Sequence, residues 1–149
     1  MKGFGEIKKK TQKEIDKSKK NSKKLADLAL KSQINGNIAE AIRYYEEFIN
    51  KGFQNEVVFN NYGVILEQLG KFNKAEIITR KAIGINPKLA DSHYNLGGIL
   101  SNLGRYNEAV TAFNNAIELN PNLVEAYFNL GNTYLILPQL FPSQYLTHL

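Results

Sequence analysis

"HYNLGGILSNLGRYNEA", residues 93–109, has the apolar rhythm of a helix in His93, Leu96 and Leu100, yet it contains Gly97, Gly98 and Gly104. Glycine inside a helix costs about 0.5–1 kcal/mol relative to alanine. Such glycines are retained where a loop cradles a phosphate or where another chain segment must come close. The surrounding sequence discriminates between the two. "NNYGVILEQLGKFNKA" stands 34 residues earlier, at 60–75, and "FNLGNTYLILP" begins in the same phase at Phe128. "ADLALKSQINGNIAEA", residues 26–41, shares that phase. A fixed period of this length marks an array of like structural units. Units are therefore expected at 22–55, 56–89 and 90–123, with a half unit at 124–137, between a leader 1–21 and a tail 138–149.

Each complete unit reads as two helices and a tight turn. In the third, Leu96, Gly97 and Leu100 follow His93 on one face of the first helix. Gly104 marks the turn. Tyr106, Ala109, Phe113, Ala116 and Ile117 then line the second helix, which "ELNP" ends at Pro121. Gly63, Gly97 and Gly131 share position 8 of their units, where a small residue lets two helices touch. Gly36, Gly70 and Gly104 share position 15, where the turn needs positive φ. No Gly-Lys-Ser/Thr follows any of them, so a nucleotide loop is not expected.

At these residues the chain resembles the tetratricopeptide repeat (TPR) family. The third unit supplies His93, Leu96-Gly97, Leu100, Gly104, Ala109, Phe113, Ala116 and Pro121; the second supplies Phe59, Tyr62-Gly63, Leu66, Gly70, Ala75, Thr79, Ala82 and Pro87. The first unit departs from the pattern, with Phe48 for the later alanine and Phe53 for the proline. The resemblance implies an all-α, right-handed superhelical solenoid of helix-turn-helix units. It also implies a non-catalytic protein-protein interaction scaffold whose first helices line a concave groove for a peptide or partner segment.

With positions 4, 7, 8 and 11 of each first helix directed to the core, positions 2, 5, 6, 9, 12 and 13 face the groove. Position 6 holds Asp27, Asn61, Asn95 and Asn129, and an amide that donates and accepts can pair with any extended backbone. The array resembles the asparagine ladder of TPR arrays joined to protein glycosyltransferases. Asn60, Val64, Tyr94, Phe128 and Asn132 complete the expected peptide-binding set. Three amides making one bond each supply roughly 2–5 kcal/mol, whereas a micromolar complex needs about 8 kcal/mol. Apolar contacts must add the rest. The groove carries Lys23 against Asp27, Glu67, Asp91 and Glu125, a balance of −3. That field repels acidic tails, and the cationic clamp other TPR proteins use is missing its Lys and Arg. The expected partner is extended and neutral to basic.

Composition excludes several chemistries. The 149 residues include no cysteine and only His93 and His148, so no disulfide, thiolate site, histidine-rich metal centre or cofactor is expected. His93 occupies a core phase and is expected to be packed. No stretch is long and apolar enough to span a bilayer, and no apolar h-region follows the N-terminal lysines. A cytoplasmic protein is the default expectation.

Charge is uneven. Residues 1–24 contain ten lysines and three acids (10 − 3 = +7), while residues 25–149 contain nine cations and eleven acids (9 − 11 = −2). The leader is expected to be solvated and disordered, with Thr11 and Glu14 offering a capping box to a short helix. Attachment to nucleic acid, an anionic membrane face or an acidic partner is the sharper, disfavoured alternative. At the other end Pro138 stands where the turn glycine recurs, and Leu140, Phe141, Tyr145, Leu146 and Leu149 make an irregular apolar tail. That end is expected to fold back, to self-associate or to have continued. The favoured reading is a chain that is the front of something longer, such as a transferase whose substrate-docking array this would be.

Overall fold

The computed structural model describes residues 3–140, with side chains over 11–137. Seven helices and no strand occur among the described residues. The described residues form two compact units that divide between Gln54 and Asn55.

The first unit pairs α1 (Gly3–Ile34) with α2 (Ile38–Asn50). Gly36 reverses the chain at φ +76°, and the Asn37 N–H reaches back to the Ser32 carbonyl at 2.8 Å, the closure that a glycine-ended helix adopts. The leader expected to be disordered is helical from Gly3 onward, and α1 passes through Thr11 and Glu14 without a break, so no helix starts there. Lys, Glu and Gln are good helix formers, and once the packed turns around Leu25 and Ala29 are in place, extension toward the N-terminus needs no new nucleus. α2 ends without proline because Gly52, at φ +74°, supplies the same closure. The Phe53 N–H meets the Phe48 carbonyl at 3.2 Å, and the two rings pack edge to face at 5.4 Å. This accounts for the departure at Phe48 and Phe53.

The second unit consists of α3 (Glu56–Gln68), α4 (Phe72–Ile85), α5 (Ala90–Asn102), α6 (Tyr106–Leu119) and α7 (Val124–Leu140). First helices α3, α5 and α7 form one layer and second helices α4 and α6 the other, each first helix also touching the next. Gly70 and Gly104 sit at φ +70° and +73° in the turns. At the unit ends Asn86 and Asn120 bend the chain before the prolines, each side chain accepting from a backbone N–H two residues on at 3.1 Å. Arg105 ties the second layer together: it meets Glu76 of α4 at 2.7 Å and both Glu108 oxygens at 2.7 and 2.6 Å.

The core follows the expected phases with three corrections. Ser92, Ile99, Ala126 and Thr133, at positions 3 and 10, are buried as well, because α5 and α7 each pack on the preceding repeat; Val58 and Ile65 hold the same positions of α3 and are buried too. His93 is half-buried rather than packed: its Nε2–H donates to the Pro87 carbonyl at 2.9 Å, turning the ring toward the unit boundary. In α7, Tyr127 and Tyr134 occupy core phases yet remain 48% and 50% exposed, since no second helix covers them among the described residues. α7 also continues through Pro138 to Leu140 instead of stopping at 137. A proline this near a helix end forfeits one backbone hydrogen bond. The remaining tail, residues 141–149, lies outside the described residues.

Candidate interaction face

The layer of α3, α5 and α7 presents the chemistry that the 34-residue phase selects. Its polar side chains are tied between helices in a slanted register, from position 5 of one helix to position 6 of the next. Asn95 Nδ2 donates to Asn60 Oδ1 at 3.0 Å, and Ser92 Oγ donates to the same oxygen at 2.9 Å. One helix along, Asn129 Nδ2 donates to the Tyr94 hydroxyl at 3.2 Å. A parallel rung runs from position 12 to 13, Asn102 Nδ2 to Glu67 Oε1 at 3.1 Å. The spacing of these pairs is 35 residues, not 34.

That register divides the expected site residues. Both lone pairs of the Asn60 carbonyl are occupied, so its remaining capacity is its NH2 group. Asn95 and Asn129 each keep a carbonyl and one N–H. Asn61 is half-buried and its side chain makes no hydrogen bond among the described residues, leaving a complete amide available. Val64 and Tyr94 are half-buried, the Tyr94 ring lying 6.0 Å from Phe113 at 49°. Asn132 is exposed, and Phe128 is 68% exposed. Glu67 and Asn102 fall on expected groove positions, but their pairing was not expected, and neither was the part played by Ser92; polar residues 35 apart in the sequence were the available signal for the first.

Glu67 is the charged group of this face with a perturbed titration. Partial burial raises its pKa above the usual carboxylate range, and the Asn102 hydrogen bond opposes that rise. Gly98 makes room for it: a Cβ there would stand 3.0 Å from Glu67 Oε1. The raised value means the folded chain holds this proton more tightly than the unfolded chain. Stability therefore falls as pH climbs from about the ordinary value of 4.5 through the raised one. Glu67→Gln removes that term. The variant's melting temperature should gain on the parent's as pH rises from 4.5 to neutrality; a constant difference would show Glu67 to be unperturbed.

Glu67, Asp91 and Glu125 lie on the groove positions of α3, α5 and α7 with no lysine or arginine among them, a local charge of −3. No group of His, Asp or Glu able to hold a metal occurs among the described residues, and no described helix is long and apolar enough to cross a membrane.

Tetratricopeptide repeat profiles match residues 58–89, 79–111 and 99–136 in succession. The TPR domain of Arabidopsis OM64 superposes with a TM-score of 0.72 at 23% identity, over 76% of this chain and 94% of that one. The first TPR of Spaghetti (RPAP3), solved with the HSP90 peptide SRMEEVD, gives 0.74 at 25% identity over 78% and 92%. A mutant O-GlcNAc transferase of Thermobaculum terrenum gives 0.69 at 25% over 75% of this chain and 22% of that one. No curated protein matches the chain in sequence.

Proposed function

This chain belongs to the tetratricopeptide repeat family, and from that premise we propose that it is a non-catalytic scaffold holding an extended protein segment on the face of α3, α5 and α7. The observation that carries the proposal is the unbonded Asn61 amide beside the half-used amides of Asn95 and Asn129. They offer donors and acceptors to a passing backbone without regard to its side chains. Val64, Tyr94 and Phe128 add the apolar contact that hydrogen bonds alone do not reach. The HSP90 peptide held by the Spaghetti domain is a precedent for peptide capture on this fold. The acidic face favours a different ligand, a neutral to basic segment, since a cation beside Glu67 recovers part of what its desolvation costs.

The test uses a peptide selected from a random library on the full chain and titrated by calorimetry. Asn61→Ala with Asn95→Ala should weaken its binding at least tenfold. Asn61→Ala alone, which breaks no internal bond, should weaken it by about 1 kcal/mol and leave the melting temperature unchanged. Equal affinity for parent and double variant would remove the amides from the site. A second reading, the docking array of a transferase, is favoured by the likeness to the Thermobaculum enzyme. Coding sequence beyond codon 149 that continues into a transferase domain would support it.

A further inference from the structure

Lys13, Lys17, Lys20, Lys24 and Lys31 fall within about 60° of the circumference of α1 and along about 27 Å of its axis, with Lys23 about 60° and Lys19 about 100° to one side of that row. Among the described residues none of these seven ammonium groups lies within ion-pairing distance of a carboxylate, whereas Arg43, Lys51, Arg80 and Arg105 all pair with glutamates. Lys20, Lys23, Lys24 and Lys31 border a single shallow depression with Asp27 and Leu28. Over residues 11–24 every side chain but the half-buried Ser22 is exposed, so little core packing supports this part of the helix. Like charges four apart, at Lys13/Lys17, Lys19/Lys23 and Lys20/Lys24, oppose it further. A row of anions alongside would ease that opposition and meet the five aligned lysines at once.

We propose that α1 binds the phosphate backbone of double-stranded nucleic acid, independently of the peptide face and without reading sequence. Ile15 is the one large apolar side chain in residues 11–24, so this stretch of the helix has no apolar face to sink into a headgroup layer. The same stretch contains no aromatic ring on which unpaired bases would stack. Lysine is a point charge suited to phosphate rather than a planar fork that recognises base edges. A duplex major groove, about 12 Å wide, admits a single helix.

The experiment is anisotropy of a labelled 20-base-pair duplex titrated with the full chain. Four or five phosphate contacts predict an affinity that falls roughly 100–500-fold between about 50 and 200 mM salt. Replacing Lys13, Lys17, Lys20 and Lys24 with glutamine should bring the slope of log affinity on log salt down to about −1, with the same helicity by circular dichroism. Lys71→Gln, Lys81→Gln and Lys88→Gln together, outside α1, should leave binding unaltered. Equal losses from the two sets of variants, or a parent slope shallower than about −2, would overturn the proposal. Capture by phosphatidylserine vesicles without duplex binding would overturn it in favour of a membrane surface.

Discussion

Phe113→Ala is expected to lower the unfolding free energy of the second unit by about 3–5 kcal/mol, measured by urea denaturation. The ring is 1% exposed, lies directly over Gly97 and contacts the Tyr94 ring, and it sits in a cluster with Leu96, Leu100, Ala109 and Ala112. Removing it leaves a cavity between α5 and α6 that rigid helices fill only in part. A domain is stable by about 5–15 kcal/mol in total, so this one side chain decides whether α5 and α6 stay paired. The equivalent position in the preceding repeat gives the contrast. Thr79 there is fully buried, but its hydroxyl has no hydrogen-bond partner. Thr79→Ala loses a methyl group and also relieves an unsatisfied oxygen, so its cost should be well below that of Phe113→Ala. A loss under about 1 kcal/mol for Phe113→Ala would mean that the aromatic is not what joins the two helices.

Gly97→Ala and Gly131→Ala should move stability in opposite directions, although the two glycines occupy one phase of the repeat. A Cβ at 97 would stand 2.5 Å from two carbons of the Phe113 ring, which is itself packed on all sides. Overpacking of this kind costs about 1–3 kcal/mol, more than the helix propensity gained by alanine. At 131 nothing among the described residues lies within 4 Å of the added carbon. There the propensity term acts alone and stabilises by about 0.5–1 kcal/mol. Thermal melts of the two variants against the parent separate the cases by sign. Equal losses at both sites would show that glycine is needed for backbone reasons and not for the approach of the second helix. A loss at 131 alone would mean that α7 is covered there after all.

Between the two helix layers, the difference between Gly97 and Gly131 is also the difference between local and long-range information. The 34-residue period, the turn glycines 36, 70 and 104, and the Asn-Pro stops are local: each needs only its own few residues to adopt one backbone shape. They could be read directly, and the all-α repeat follows from them. The close approach at Gly97 was legible for the same reason, since a small residue recurs there in every unit, at Ala29, Gly63, Gly97 and Gly131.

Other features depended on neighbours that no local pattern names. The shift from 34 to 35 residues in the rungs Asn60–Asn95, Glu67–Asn102 and Tyr94–Asn129 comes from the stagger between adjacent helices. That stagger joins position 5 to position 6, so it leaves Asn61 whole while it occupies the carbonyl of Asn60. His93 turned toward Pro87 because the boundary between repeats offered a carbonyl within reach. Glu67 titrates unusually because α5 partly covers it. Composition counts the charges of the lysine-rich front but not whether they line up; helical continuity from the packed turns of α1 aligns them. The residues by themselves determined which elements form and where they turn. Tertiary structure alone decided which amides, carboxylates and ammonium groups remain available, because availability is set by what the neighbouring helix has already satisfied or covered.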